Sequence, residues 1–480
     1  MTEAAPDVVI VGGGICGLSA AHALAKRGVG FLLLEAADRW GGVIRTERAG
    51  GFLLEAGPDA LLAQKPEGVA LCRELGLGER LTPTHRTARA VYVLHRGRLR
   101  RLPEGMTLAV PTRIGPFLAS NLFSWPGKLR MALELVVPTK KNGGDESIAS
   151  FLRRRFGAEC VERLGEPLLA GIHSGDPERL SIRATFPRFA DLEVRYGSLI
   201  RGLRTSVPRA RDGAEPPPIF YSLLGGLAEM VDALVSHLPT DRLRLGSAVC
   251  SLERSGSSWS VATADGRRVE TRAVIVAVPA HRAAALLASL DPELPRSLSA
   301  IPFVPTATVL LGFRRADIAH PLDGYGLVVP KTERLRTTAL SFSSTKLPGR
   351  APDGHVLLRA FLGGARDPQV LALDDHALVG TVLTEMGPVL GVRGAPVLTR
   401  VFRWPMGTPQ MEVGHLDRIA ALERRIAQIP GLHLTGAGLR VTGIPDSIAD
   451  AARAAEAAVL SLEQGGAASR PPEPPSRSPK

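Results

Sequence analysis

Short, wholly apolar runs separated by glycines open this chain. Asp7–Val11 and Phe31–Leu34 are too short for helices and read as strands buried on both faces. Between them Gly12–Gly14 predicts a turn and Ile15–Lys26 a helix. Arg27 and Gly28 close that helix with a basic last turn and a C-cap glycine. Strand, helix and strand in this order open a parallel sheet. From about Thr87 to Arg209 the pattern changes, with apolar positions mixed among prolines and arginines. Ile148, Phe151, Leu152, Phe156, Val161, Leu164 and Leu168 repeat at helical spacing. Ser147–Leu169 is therefore predicted as a helix, and the section as mostly helical. Pro208–Pro218 reads as a loop between domains.

Alternation then returns. Leu243–Leu252 and Trp259–Ala264 predict strands, Asp265-Gly266 a hairpin turn into Arg268–Thr271, and Val274–Val278 a buried strand. Thr306–Phe313, Gly326–Val329 and Val356–Phe361 are further strands. Leu432–Thr435 leads through Gly436-Ala437-Gly438 into an alanine-rich helix, Asp446–Leu462. The tail Gly465–Lys480 cannot bury apolar area and is expected to be disordered.

Composition adds compartment and partners. The 480 residues suffice for about three domains, and 45% hydrophobic with 22% charged is ordinary for a globular chain. Cys16, Cys72, Cys160 and Cys250 lie far apart, which argues against a disulfide framework and suits a reducing compartment. The histidines show no paired ligand spacing, so no metal is expected. Glu3 and Asp7 stand where a signal peptide would be positive, and no window reaches about 18 apolar residues. A cytoplasmic chain without a membrane span is expected. The net charge is +12, and His85–Arg163 alone carries fifteen Lys/Arg against six Asp/Glu, a net +9. Such a segment suits nucleic acid, anionic lipid or an acidic small molecule, or is a solvated surface.

The chemistry begins at Val11–Gly17. Gly12, Gly14 and Gly17 form G-x-G-x-x-G between a strand and a helix, with Gly13, Ile15 and Cys16 inside it. Gly12 allows the tight turn, Gly14 lets backbone approach a pyrophosphate, and Gly17 lets helix and strand pack closely. The helix N-terminus then faces the phosphates. Glu35, eighteen residues past Gly17, can accept from ribose hydroxyls. Cys16 reads as a small buried thiol. Arg39-Trp40-Gly41-Gly42-Val43 and Gly57-Pro58-Asp59 follow. An Arg-x-Gly-Gly step after the ribose carboxylate is similar to flavoproteins of the amine oxidase and phytoene desaturase type. This implies FAD, with Arg39 near its phosphates.

Further stretches narrow the resemblance. They are Leu34-Glu35-Ala36 through Gly42, Glu55–Asp59, Gly171–Asp176 with Leu180–Ile182, Gly324–Pro330, Phe361–Gly364, and Phe402–Pro405 through Pro409-Gln410 to Gly414-His415. From Val8 to about Leu462 the chain resembles the oxygen-dependent protoporphyrinogen oxidases. The resemblance implies an α/β chain, α+β when taken whole, of three parts. Residues 1–86, 219–285 and 415–464 would form a Rossmann-type FAD-binding domain. Residues 87–93, 195–218 and 286–414 would form a mixed-sheet substrate domain, and 94–194 a helical, basic, membrane-binding insert, leaving 465–480 as the tail. FAD contacts are implied at Gly12–Gly17, Glu35, Ala36, Gly42, Val43, Gly57, Pro58, Asp59 and Ala60. Val249, Trp404, Thr442, Gly443 and Ile444 complete that set. Substrate contacts are implied at Gly171, Tyr325, Gly326, Val328 and Phe361. Trp404, Tyr325 and Phe361 could equally be core aromatics, and Val249 a plain strand residue.

The implied reaction is six-electron oxidation of protoporphyrinogen IX to protoporphyrin IX in haem biosynthesis. Molecular oxygen is the acceptor, and hydrogen peroxide is released. Removing hydride needs a positioned flavin more than a catalytic side chain, so no catalytic residue is named. The partners implied are the porphyrinogen, oxygen and an anionic membrane met peripherally on its inner face. A homodimer is compatible with this, and nucleic acid has no role. Two departures qualify the substrate. The family's propionate-binding arginine is replaced by Val91, leaving Arg89 roughly 6 to 7 Å away if the segment is a strand. Pro445 also removes a backbone donor near the flavin. Coproporphyrinogen III oxidation and a non-catalytic flavin-binding paralogue are the alternatives, with an amine oxidase or carotenoid desaturase behind them.

Overall fold

Four-residue apolar strands can be buried on both faces only inside a covered parallel sheet, and the computed structural model, which describes residues 5–85, 89–140, 144–206 and 218–468, contains one. Its order is Leu243–Arg244, Phe31–Leu34, Val8–Val11, Ala273–Val276 and Leu432–Leu434, with every pairing parallel. The helices Ile15–Lys26, Ala228–Ser236 and Ile444–Ala468 cover one face. A meander of Val249–Ser255, Ser258–Thr263 and Arg268–Thr271 covers the other, with Trp259 fully buried beneath it.

A second, seven-stranded sheet runs Leu398–Pro409, Phe303–Arg314, His355–Gly363, Thr337–Phe342, Gly324–Val328, Ala90–His95 and Arg98–Arg101. It is antiparallel except where Gly324–Val328 meets Ala90–His95. Alternation along its strands gives it two faces. Val309, Leu311, Leu358, Ala360 and Leu340 pack under the helix Asp375–Leu390. On the opposite face Leu310, Leu357 and Phe402 meet Phe52, Leu54 and Ala56, while Val93, Val328 and Ala339 meet the helical insert.

The insert is pinned by charge in its own core. Glu134 and Arg155 are both fully buried. Glu134 accepts from Arg155 Nε (2.9 Å), Ser198 Oγ (2.6 Å) and the Leu199 amide (2.8 Å). Arg155 also donates to the carbonyls of Val137 and Gly197.

Several expectations need correction. Ser147–Leu169 is helical as its spacing predicts, but in separate pieces. Ile148–Phe156 stops at Gly157, whose φ is +94°, and a π-helical turn at Val161–Gly165 precedes Glu166–His173. Leu243–Leu252 splits into strands of two different sheets, because Gly246 (φ +62°) turns the chain between them. The mixed sheet reaches past residue 93, since Arg98–Arg101 pairs with Ala90–His95. Leu199–Ser206 packs into the insert through Leu199, Ile200 and Leu203 rather than into the sheet. The final helix continues to Ala468; the rest of the expected tail, and most of the expected loop Pro208–Pro218, lie outside the described residues.

Candidate functional site

The first strand ends at Gly12, where φ of +107° and the nearby Val278 side chain exclude a Cβ. A Cβ on Gly17 would overlap the Gly12 carbonyl oxygen, so this glycine is required for the helix to start so close to the strand. Gly14 caps the helix without a side-chain hydrogen bond, its first turn holds no acid, and a Cβ there would meet nothing within 4 Å. An exposed helix N-terminus with open space in front of it accepts an anion. Glu35 binds the Gly13 amide at 2.5 Å and the Ala37 amide at 2.8 Å, which fixes its carboxylate at the end of the second strand. Ser247 donates to the Glu35 carbonyl, bringing Val249 and the exposed Ala36 to the same end of the sheet.

The track continues from there. Gly41 donates to the Gly13 carbonyl, and a Cβ on Gly42 would stand 3.4 Å from Gly14 Cα. Val43 is 50% exposed beside it, and Gly57 packs on the Val43 carbonyl closely enough to exclude a Cβ. Gly57, Pro58, Asp59 and Ala60 are half-buried along the same path. The Arg39 guanidinium donates to the carbonyls of Trp40, Gly42 and Ile44, and so holds the glycine turn in shape. Thr442 and Gly443 lead into the C-terminal helix, which starts at Ile444 and packs against the nucleotide helix, with Ser447 and Thr435 near the buried Cys16 thiol. Burial pushes that thiol up to about 11, as befits an inert core group. Pro445 occupies the helix's first turn, where an amide has no intrahelical partner, so the helix itself loses no hydrogen bond there.

At the far end of the track, Trp404 Nε1 donates to the Ala56 carbonyl at 3.1 Å. Lys346 Nζ holds both oxygens of Asp59 at 3.0 and 2.9 Å, and Arg359 Nη1 stands 3.7 Å from the same carboxylate. Burial would raise the Asp59 carboxyl, but Lys346 and Arg359 outweigh it and hold it down to about 2. Such a group stabilises the fold above its ordinary pKa of 3.8 and ceases to do so as pH falls through about 2. The stability gap between wild type and Asp59→Asn should therefore be about 2 kcal/mol at neutral pH and close between about pH 4 and pH 2 in urea titrations.

Beyond this cluster lies an apolar wall. A Cβ on Gly171 would touch Ala339 Cβ at 3.3 Å and Val328 Cγ1 at 3.5 Å, so the helix Glu166–His173 lies close on the sheet. Phe361 packs against the same cluster. The structure thus unites Gly171, Val328 and Phe361. The Tyr325 hydroxyl donates to the His85 carbonyl and lies 3.0 Å from the Thr84 hydroxyl, and so braces Thr84 and His85. At Gly326, φ of +147° and the adjacent Leu340 carbonyl exclude any side chain, so sheet packing alone demands this glycine. Val91 pairs with Gly326, whereas Arg89 precedes the strand, so the assumed strand alternation does not apply to it. Arg359 and Lys346 were missed; the signal was a lone arginine inside the apolar run Val356–Phe361.

A parallel-sheet nucleotide domain whose glycine track ends at an apolar wall on a mixed sheet defines a flavoprotein oxidoreductase. The chain belongs to the family of flavin containing amine oxidoreductases, whose model matches residues 15–459, and its cofactor is FAD. It is 36% identical over 458 residues to a coproporphyrinogen III oxidase of Bacillus subtilis (strain 168), covering 93% of this chain and 97% of the relative. A chloroplastic protoporphyrinogen oxidase of Nicotiana tabacum is 31% identical over 455 residues, covering 90% and 81%. A solved structure from Exiguobacterium sp. 255-15, provisionally named a protoporphyrinogen oxidase, superposes with a TM-score of 0.83 at 32% identity, covering 95% of this chain and 99% of that one. These names match the family that the sequence resemblance pointed to.

Proposed function

We propose that the chain oxidises a porphyrinogen to a porphyrin in haem biosynthesis, with coproporphyrinogen III as the preferred substrate. The observation that carries the reading is the apolar wall of Gly171, Val328, Ala339 and Phe361 at the end of the glycine track. A large, puckered, mostly apolar ring needs apolar surroundings of this kind. FAD, when bound, supplies hydride acceptance and return to the oxidised state by molecular oxygen, with three rounds removing six hydrogens and releasing hydrogen peroxide. Gly12–Gly17, Glu35, Ala36, Gly42, Val43, Gly57–Ala60, Val249, Trp404 and Thr442–Ile444 would hold it. The wall orients the ring's methylene bridge and keeps water from it, and the pyrrole protons leave to solvent. Burial and the Lys65 ammonium hold the His173 imidazole down to about 4, so at neutral pH it is an uncharged part of the surroundings.

Val91 in place of an arginine, and the greater identity to the Bacillus relative, favour coproporphyrinogen over protoporphyrinogen. Aerobic turnover of both, followed by porphyrin fluorescence with bound flavin quantified, tests this. Faster coproporphyrinogen oxidation is expected. Faster protoporphyrinogen oxidation would overturn the substrate, and no turnover with flavin bound would leave the non-catalytic paralogue.

Peripheral membrane docking belongs to the same reading, but its basis shifts. Much of the insert's excess charge is spent internally, with Arg153 on Glu178, Arg154 on Glu146 and Glu193, and Arg163 on Glu159. Beside exposed arginines such as Arg98, Arg101 and Arg113, a set of apolar side chains faces outward: Ile114, Leu118, Trp125, Leu129, Leu133 and Val136. Among the described residues no helix is long and apolar enough to cross a membrane. Shallow insertion of these side chains suits the surface. Trp125→Ser with Leu129→Ser should weaken cosedimentation with anionic vesicles by about tenfold or more.

A further inference from the structure

Arg359 is 95% buried, yet its charge is not cancelled. Its Nη2 donates to the Gly57 carbonyl, its guanidinium carbon stands 4.7 Å from the centre of the Phe361 ring, and its Nε has no hydrogen-bond partner among the described residues. The carboxylate beside it, Asp59, is already held by Lys346. Further out, the buried Arg350 faces Glu55 at 3.9 Å, one charge against one. Two cations therefore share one carboxylate, leaving one uncompensated positive charge and one unsatisfied N–H. Both sit between the end of the glycine track at Gly57 and the Phe361 wall. A buried donor without an acceptor is costly, and burial of an unbalanced cation more so, unless something bound there meets them.

We propose that Arg359, anchored on the Gly57 carbonyl beside Asp59, is the charge that stabilises reduced FAD in this protein. The proposal rests on the cofactor placement given above, but not on the identity of the substrate. Reduction by two electrons and one proton adds one negative charge to an isoalloxazine ring. A fixed cation nearby, shielded from water, favours that state and costs no reorganisation. Arg359 is thus a redox-positioning residue, distinct from the apolar groups that shape the wall.

Sulfite is a suitable probe, because it adds to the oxidised isoalloxazine and leaves the same negative charge without any porphyrinogen. In Arg359→Met, sulfite affinity should fall about tenfold and the two-electron midpoint potential drop by about 30 mV. Arg359→Lys should recover most of both. Lys346→Met removes the other cation and should move both readouts in the same direction, which covers the case in which Arg359→Met loses its flavin. Sulfite affinity and potential within twofold and about 10 mV of wild type in the flavin-loaded methionine variants would overturn the proposal. An altered porphyrinogen KM with both readouts unchanged would also overturn it, by assigning Arg359 to the substrate. Failure of Gly14 variants to lose FAD would instead overturn the cofactor placement.

Discussion

Gly14→Val is expected to give a folded protein that holds no FAD. The backbone at Gly14 has φ −72° and ψ −177°, which any residue adopts, and a Cβ there meets no protein atom within 4 Å. The fold therefore has no reason to object to the substitution. The cofactor does, because the added methyl groups stand in front of the helix amides that receive the pyrophosphate. Affinity should fall at least about 100-fold, equivalent to about 2.8 kcal/mol. Gly17→Val is the instructive contrast. Its Cβ would overlap the Gly12 carbonyl oxygen, so strand and helix must separate and folding itself should suffer. Flavin content, apoprotein melting and calorimetric titration with FAD distinguish the two. A Gly14→Val protein with wild-type flavin content would contradict the placement of the phosphates.

Glu134→Leu should cost about 3–5 kcal/mol of stability. It leaves the buried Arg155 guanidinium with Glu193, 3.3 Å from its Nη1, as its one remaining carboxylate among the described residues, and it also takes an acceptor from Ser198 Oγ and the Leu199 amide. Breaking one side of a buried pair is worse than removing both, so Glu134→Leu with Arg155→Leu should be more stable than Glu134→Leu alone. Urea unfolding with a probe in the insert, such as Trp125 fluorescence, reads this directly. A double variant less stable than the single would mean that packing around Arg155, not its charge, holds the insert together.

How much was legible depended on how local the cause was. Val8–Val11, Ile15–Lys26 and Phe31–Leu34 fold as their sequence implies, because burial on both faces, helical spacing and the terminal glycine agree over thirty residues. The strand Leu398–Pro409, which carries Trp404, was not legible as a strand. It lies at the sheet edge, where Pro405, Gly407, the exposed Arg400 and the half-buried Arg403 interrupt any alternation without penalty. The break in Ser147–Leu169 was signalled by Gly157, but the π turn after it answers to packing of Glu166–His173 on the sheet, which helical periodicity does not encode.

The same distinction separates the two halves of the site. The glycine track announces itself, since Gly12, Gly17 and Gly57 each answer a local geometric demand, while Gly14 leaves the helix N-terminus open and Glu35 ties the turn. The charge cluster does not: Asp59 and Lys346 are 287 residues apart in sequence and meet only because the mixed sheet faces the track. Arg359 sits in an apolar strand where a solvent-facing reading was equally open. Val91 kept its meaning as a departure, yet Arg89 could not be placed by strand alternation because the strand begins after it.

The most direct measurement mixes the FAD-loaded protein with coproporphyrinogen III without oxygen and follows the flavin absorbance. The account predicts that the oxidised flavin spectrum bleaches, returns only when oxygen is admitted, and that complete porphyrin appears only then. A flavin that stays oxidised in the presence of bound porphyrinogen would contradict it.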